Sequence, residues 1–414
     1  MNPRIRMLWL GLSIFCLCLS NVLAQHGELD LRIEGNQKRV DIPFQLINNF
    51  IVVPVLIDNL LPVNFIVDTG AEHTIILDRT LTDAINARYQ RVFEIVGSDL
   101  STSLQALLAV GIDFKIGTKL TAKNRSVLVL SENNFNFEEL TGVPIAGILG
   151  GDFLMRFVLE IDYHRRVLRL HEPSNYQPGR RHEQLPAQFE RNRAYLEGEL
   201  VLSGQRQLRR LLLIDTGASL SLLLLSKEEE EVQLPDETIL APIANGLGGQ
   251  LMGMVGRARN FSIGKQDLGA MVLFYQDMPP FMDSLNVLRE GIIGNRALQR
   301  FNLIIDYPRR AVYARPVGRW PRSFPFDRSG LIVSAGGPHL TKYQVLSVIE
   351  NSPAAEAGLE AGDIIRRLNG TPGPLLTLNG INRKLEGRVG KRIKILAERD
   401  GLLFHVEFYL RDLI

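Results

Sequence analysis

The stretch Leu212-Leu213-Ile214-Asp215-Thr216-Gly217-Ala218 has an earlier counterpart in Phe65-Ile66-Val67-Asp68-Thr69-Gly70-Ala71. Each is an apolar strand that ends in Asp-Thr-Gly-Ala. One Asp-Thr-Gly tripeptide is a weak signal, because it also occurs where a strand runs into an ordinary turn. A second copy after a matching strand makes a chance occurrence a poor explanation. Two turns with a purely structural role in a duplicated barrel would not both require Asp.

The sequence downstream of each copy is repeated as well. Residues 147–166 and 291–310 match without a gap at 12 of 20 positions, and both begin with Gly, Ile, an aliphatic residue and Gly. Similarity at this level between two halves indicates an internal duplication. We therefore expect two lobes of the same fold, each contributing one Asp.

This pattern resembles the aspartic proteases, in which two Asp-Thr-Gly turns meet across a pseudo-twofold axis above apolar-apolar-Gly segments. The resemblance implies a mainly β, bilobal acid-protease barrel of the shorter, retroviral type. Its catalytic residues would be Asp68 and Asp215, supported by Thr69, Gly70, Thr216, Gly217 and Ser219. Two carboxylates within ~3 Å cannot both ionise, so such a pair retains one proton. One carboxyl can then act as a base on water while the other acts as an acid.

The residues around each Asp fit this chemistry unequally. A Thr hydroxyl can bind the partner loop's backbone, and Gly allows a close backbone approach. The second turn continues with Ala218-Ser219, whereas the first continues with Ala71-Glu72-His73. Glu72 could raise the proton affinity of the pair and a charged His73 could lower it. The alternative, which we prefer for His73, is a residue at the flank of the site.

The first 24 residues predict a secretory signal peptide. Arg4 and Arg6 precede an apolar run over residues 8–19, and Ala24 ends a small-residue cleavage pattern. The run is short for a membrane span, which needs ~20 residues. We expect an exported protein, either periplasmic, attached to the cell envelope or secreted. Both cysteines lie in this segment, so the mature chain would form no disulfide and no thiolate metal site.

The charge balance argues against several kinds of partner. Without Arg4 and Arg6, 45 basic side chains face 45 acidic ones, which does not suggest nucleic acid or an anionic membrane. The seven His are scattered without metal-ligand spacing, so we expect no metal and no cofactor. Polypeptide substrates are the expected partners, and one chain with both Asp residues should act as a monomer.

The expected domains follow from these patterns. Lobe 1 covers residues 25–172, a linker 173–184, lobe 2 residues 185–316, and a second linker 317–329. Alternation over residues 93–110 predicts a hairpin above the site, and Gly246 to Gly249 predicts a second one. Leu211 to Leu225 is dense in Leu and could be taken for a membrane segment. Asp215 and Gly217 favour two core strands instead. The four Glu at 228–231 predict a solvated helix face.

Residues 330–414 resemble a bacterial PDZ domain through the segment Ser352-Pro353-Ala354-Ala355-Glu356-Ala357-Gly358 and the following Ala361-Gly362-Asp363. The resemblance implies an α+β domain that binds C-terminal peptides by adding a strand to its sheet. We expect the groove between the strand at residues 344–349 and the helix at 377–385, with Leu340, Tyr343 and Val345 contributing. The Arg- and Pro-rich linker suggests a mobile domain that selects substrates.

The sequence thus predicts an exported aspartic endopeptidase with a PDZ domain for substrates or partners. The competing hypothesis is a catalytically silent protein that holds peptides on an acid-protease fold.

Overall fold

The computed structural model describes residues 30–96, 103–132, 137–202, 207–226, 234–235, 237–246, 249–277, 290–318 and 324–414. The signal segment, the four Glu at 228–231 and the tips of both expected hairpins lie outside these residues. Within the described part, no helix is long and apolar enough to cross a membrane.

Lobe 1 is built around a curved sheet of nine strands in the order β1-β9-β6-β10-β5-β4-β8-β7, with β3 on β4 and a further β8–β9 pairing that closes it. Its elements are β1 (Asp30–Ile33), β2 (Arg39–Pro43), β3 (Gln45–Ile47), β4 (Phe50–Ile57), β5 (Leu61–Val67), β6 (Ile75–Ile76), α1 (Arg79–Ala84), β7 (Arg88–Val96), β8 (Ser103–Ile116), β9 (Leu120–Leu130), α2 (Phe137–Thr141), β10 (Gly147–Leu149), α3 (Gly151–Leu154), β11 (Val158–Asp162) and β12 (Val167–His171). The hairpin expected over residues 93–110 forms from β7 and β8.

Lobe 2 repeats this plan with eight strands in the order β14-β15-β16-β21-β17-β20-β19-β18, closed by β15 on β19. Its elements are β13 (Glu183–Leu185), β14 (Ala187–Glu190), β15 (Arg193–Val201), β16 (Gln207–Asp215), β17 (Leu222–Ser226), β18 (Thr238–Gly246), β19 (Gly249–Ile263), β20 (Gln266–Asp277), β21 (Gly291–Gly294), α4 (Asn295–Leu298), β22 (Phe301–Asp306) and β23 (Ala311–Pro316). The Leu-rich run at 211–225 contains two core strands, as expected.

The duplicated blocks occupy equivalent places in the two lobes. β10 pairs parallel with β5 and antiparallel with β6, while β21 pairs parallel with β16 and antiparallel with β17. Each strand that leads into an Asp therefore pairs with the Gly-Ile-aliphatic segment of its own lobe. The sequence repeat is a repeat of the fold.

A six-stranded sheet of order β13-β23-β22-β11-β12-β2 joins the lobes. Its central pair is antiparallel, with β11 from lobe 1 and β22 from lobe 2, and both strands are almost entirely buried. The expected linker at 173–184 contributes a 3-10 turn at Pro173–Asn175 and the first residues of β13. One continuous apolar core extends through both lobes and this sheet. The lobes are thus fixed to each other, which also fixes their Asp residues.

The C-terminal domain has its own apolar core and a sheet of order β24-β25-β26-β28-β29, with β27 on β26. Its elements are β24 (Leu331–Gly336), β25 (Lys342–Val348), α5 (Pro353–Glu356), β26 (Ile364–Leu368), β27 (Thr371–Pro372), α6 (Leu378–Leu385), β28 (Arg392–Arg399) and β29 (Leu402–Tyr409). The Ser352 side chain accepts from the Ala355 amide, so the Ser-Pro motif caps α5. Thr377 caps α6 in the same way.

Candidate active site

The two Asp-Thr-Gly turns meet between the lobes. Strand β5 ends at Val67 and β16 ends at Asp215, so each Asp follows three buried residues at the end of a strand. A hydrogen bond joins the carboxyl groups of Asp68 and Asp215. The duplicated turns, 147 residues apart in sequence, therefore form one pair of carboxyl groups.

Four hydrogen bonds made by Thr69 and Thr216 fix this arrangement. The Thr69 hydroxyl donates to Ile214 O at 2.6 Å and the Thr216 hydroxyl donates to Val67 O at 2.7 Å. Each hydroxyl oxygen also accepts from the other Thr's amide, at 3.0 and 3.1 Å. Both Thr side chains are fully buried. Each loop is thereby held by the backbone of the other lobe, which is the role that the sequence suggested for Thr.

The glycines of the two turns lie against the opposite carboxyl groups. A Cβ at Gly70 would lie 2.6 Å from Asp215 Cγ, and one at Gly217 would lie 2.3 Å from Asp68 Cγ. Such distances are shorter than any carbon–carbon contact, so each position admits only glycine while the carboxyl groups stay in place. This is the close approach that the third residue of the motif provides.

Backbone amides point at both carboxyl groups. Asp68 Oδ1 accepts from the Gly70 amide at 2.7 Å and from the Ala71 amide at 3.0 Å, and Asp215 Oδ1 accepts from the Gly217 amide at 2.8 Å. Burial raises the pKa of Asp68, and the hydrogen bonds from Asp215 and from the amides offset part of that rise. A raised pKa keeps one proton on the pair at higher pH than for an isolated carboxyl group.

The residues that follow the two turns lie around the cavity above the pair. Ser219 lines this cavity on the side of the second turn. Glu72 and His73 line the same cavity, and their partly exposed side chains lie 3.9 Å apart. His73 is thus at the flank of the site.

A polar contact that the sequence analysis missed supports only the second turn. The Tyr163 hydroxyl of lobe 1 donates to Asn295 Oδ1 at 2.6 Å, and Asn295 Nδ2 donates to Thr216 O at 2.5 Å. Gly151 occupies the equivalent place in lobe 1, and the Tyr307 hydroxyl, the counterpart of Tyr163, is buried without a hydrogen-bond partner among the described residues. The signal for this asymmetry was a Gly-to-Asn difference inside the repeat.

The pair opens into a cavity of about 1770 Å3. Ile95 and Leu104 from the first hairpin and Ala241 and Ile243 from the second line its sides. Small-molecule pockets typically measure ~300–1,000 Å3, so this cavity has room for a longer ligand such as a polypeptide segment.

The C-terminal domain packs against both lobes and forms part of this cavity. Arg296 of α4 contacts Glu386 at 2.5 Å and donates to Pro325 O at 3.1 Å, while Arg257 of β19 donates to Phe324 O at 3.0 Å. The Arg300 guanidinium lies 3.6 Å from the centroid of the Phe324 ring. The domain is therefore docked, in contrast to the mobile arrangement that the composition of the linker suggested.

The expected peptide groove of this domain is corrected by the sheet order. Strand β25 lies inside the sheet between β24 and β26, and Tyr343 and Val345 are buried in the domain core at 3 % and 1 % exposure. A strand can be added only at an edge, because interior strands already use their backbone groups. The edge strand next to α6 is β24, so the groove lies between β24 and α6. Leu340, Tyr343 and Val345 do not line it.

Two family models match the chain in the regions just described. Residues 53–153 match the aspartyl protease model, and residues 344–399 match the PDZ domain model. The chain therefore carries an aspartyl protease domain of retropepsin-like type and a PDZ domain, as the motifs predicted. The protease match ends within lobe 1, and the structure supplies the second lobe through its repeated topology.

No curated protein matches the chain. Among solved structures, a photosystem II D1 C-terminal processing protease is 23% identical over a match that covers 21% of this chain and 23% of that one, with a TM-score of 0.20. The chain thus spans less than a quarter of that structure, and a TM-score this low carries no argument.

Proposed function

We propose that the protein is an exported aspartic endopeptidase that hydrolyses peptide bonds with the Asp68–Asp215 pair. The observation that carries this proposal is the pair itself: two carboxyl groups joined by a hydrogen bond, held by the crossed Thr contacts, at the floor of a cavity long enough for a polypeptide.

The proposed reaction uses the single proton of the pair. The ionised Asp takes a proton from water as the water oxygen attacks the peptide carbonyl carbon. The protonated Asp donates to the developing oxyanion. The carbon–nitrogen bond then breaks, and the leaving amine receives a proton from the pair. Which Asp holds the proton at a given step is a property of the pair.

The test is a pair of single substitutions with a matched control. Asp68→Asn and Asp215→Asn should each abolish cleavage of a mixed peptide library, since either variant has one ionisable carboxyl group and no acid–base partner. Asp83→Asn makes the same chemical change on the surface of α1 and should leave turnover intact. Melting temperatures of the variants should show that they remain folded.

Two results would decide against the proposal. Substantial activity in either Asp variant would exclude the pair as the catalyst. Absence of cleavage in the unmodified protein between pH 3 and pH 8, together with retention of peptides, would favour the alternative of a silent peptide-binding protein. A statine-type inhibitor of aspartic proteases separates these cases further, because it should block only an active pair.

The proposal includes export. Its support is the basic start and apolar run of residues 1–24. N-terminal sequencing of protein recovered from the producing cells should give Gln25 as the first residue. Recovery of the full chain starting at Met1 would contradict it.

A further inference from the structure

The groove between β24 and α6 is closed at the end where a PDZ domain would hold a chain terminus. The loop that leads into β24 lies beside the C-terminal end of α6, since the Arg328 amide donates to Leu385 O at 3.2 Å. In PDZ-type recognition, a peptide adds a strand at the sheet edge, and a terminal carboxylate is captured by free backbone amides. This loop is the place for such amides.

These amides are already bound by the chain itself. The Ser329 and Gly330 amides donate to Asp327 Oδ1 at 2.9 and 2.5 Å, and the Ser329 hydroxyl donates to the same oxygen at 2.9 Å. The Leu331 amide donates to the Ser329 hydroxyl oxygen at 3.0 Å. The carboxyl group of Asp327 therefore takes the place that a ligand's terminal carboxylate would need.

The other end of the groove is filled by lobe 1. Helix α2 packs against both β24 and α6. A Cβ at Gly142 would lie 3.5 Å from Leu378 Cβ of α6 and 3.8 Å from Ala335 Cβ of β24, so the backbone after α2 lies between the two walls of the groove. A peptide cannot run along the full length of the groove while lobe 1 is in this position.

The middle of the groove opens sideways into the protease cleft. Ile332 of β24, and Asn382 and Arg383 of α6, line the same cavity as Asp68 and Asp215. The contact between Arg296 and Glu386 holds α6 in place at this boundary. A polypeptide bound at the two Asp residues can therefore reach α6 without leaving the cavity.

We propose that this PDZ groove does not capture free chain ends and instead extends the substrate cleft, where it contacts an internal stretch of the substrate polypeptide. The proposal rests on the proposed protease function for the substrate, but its first test does not require turnover.

The first test compares peptide pools that differ only at their C-termini. The full chain carrying Asp215→Asn is immobilised, and random peptides with either a free carboxylate or an amide are retained and counted by mass spectrometry. A carboxylate held by amides gains ~1.5–3 kcal/mol per charged hydrogen bond, or about tenfold or more. We expect the two pools to be retained within about twofold of each other. A tenfold preference for the free carboxylate would overturn the proposal.

Two variants show whether Asp327 is the cause. Asp327→Gly frees the amides of Ser329 and Gly330, so free carboxylates should become preferred several-fold. Asp327→Asn keeps an accepting oxygen and should stay without preference. If the Gly variant folds and shows no preference, the assignment of this loop is wrong. If it does not fold, the unmodified protein and the Asn variant still decide between the outcomes.

The second test measures the substrate contact. Substrates blocked at both termini should be cleaved with lower KM as residues are added on the side facing α6. Arg383→Ala should remove most of this gain in KM. Arg388→Ala, an exposed Arg after α6 that does not line the cavity, is the control. An equal fall in KM with substrate length in Arg383→Ala and Arg388→Ala would overturn the contact with Arg383. No cleavage at all would overturn the proposed function and leave the comparison of peptide pools valid.

Discussion

Replacing Glu160 with Gln should destabilise the protein by about 2–3 kcal/mol at neutral pH and by almost nothing near pH 2. Glu160 lies on β11, at the centre of the sheet that joins the lobes. Its carboxyl group contacts Arg169 at 2.6 Å, His171 at 3.1 Å and the Asn302 amide at 3.2 Å. The contacts with Arg169 and His171 lie within lobe 1, and the contact with Asn302 crosses from lobe 1 to lobe 2.

The magnitude follows from the pKa of Glu160. Burial alone would raise this pKa, but the hydrogen bond with His171, the charge of Arg169 and the Asn302 amide lower it from 4.5 to about 2. At ~1.4 kcal/mol per pKa unit, this fall corresponds to about 3 kcal/mol. Gln retains one accepting oxygen, and Arg169 retains Asp162 at 3.3 Å, so the measured loss should be somewhat smaller.

The direction of the pKa shift of Glu160 decides how its contribution to stability changes with pH. A lowered pKa means that the ionised carboxyl group stabilises the fold fully above pH ~4.5, and that this contribution is lost as the pH falls toward 2.

The assay is urea unfolding followed by circular dichroism at pH 7, 4.5 and 2.5. The gap between the parent protein and Glu160→Gln should shrink as the pH falls. Glu197→Gln, an exposed change on β15, should shift the free energy of unfolding by less than ~0.5 kcal/mol. No gap at pH 7, or the same gap at pH 2.5, would refute the electrostatic account.

Further predictions follow from the site and the docked domain. Gly70→Ala should reduce kcat/KM by about 100-fold or more, because its Cβ would displace the Asp215 carboxyl group; near-normal kinetics would contradict the close contact. Thr216→Val should lower the free energy of unfolding by ~1–3 kcal/mol through two lost buried hydrogen bonds, with Thr216→Ser as the milder control. Arg296→Glu should loosen α6, measured as faster hydrogen exchange, and the added change Glu386→Arg should restore protection; failure to restore it would show that charge is not the reason. Specific activity should stay constant on dilution through the nanomolar range, and a fall accompanied by dimers in sedimentation would overturn the intramolecular pair. The rate should decline as the pH rises through the raised pKa of Asp68, so a rate still increasing above pH 9 would exclude a single-proton mechanism.

The local motifs could be identified from the sequence because each has its own physical requirement. The Asp-Thr-Gly turns need a strand, a hydroxyl group and a Gly that allows the backbone to approach the opposite carboxyl group closely. All three are provided by consecutive residues. The repeat of residues 147–166 at 291–310 predicted two equal lobes, and the Ser-Pro and Gly-Asp turns predicted the PDZ domain. Hairpins and core strands followed from alternation and apolar runs, which depend on near neighbours in the chain.

Only the tertiary structure decided how these parts meet. Three features depend on residues that are distant in sequence. These are the hydrogen bond between Asn295 and Thr216 O, the edge position of β24 and the contact of α6 with Arg296. Tyr343 and Val345 were assigned to the groove because they lie on a strand of the right composition. A strand's place within a sheet is set by long-range pairing, and an interior strand has the same residue pattern as an edge strand. For the same reason, Asp327 gave no signal in the sequence: its role arises from a loop whose amides fold back onto it.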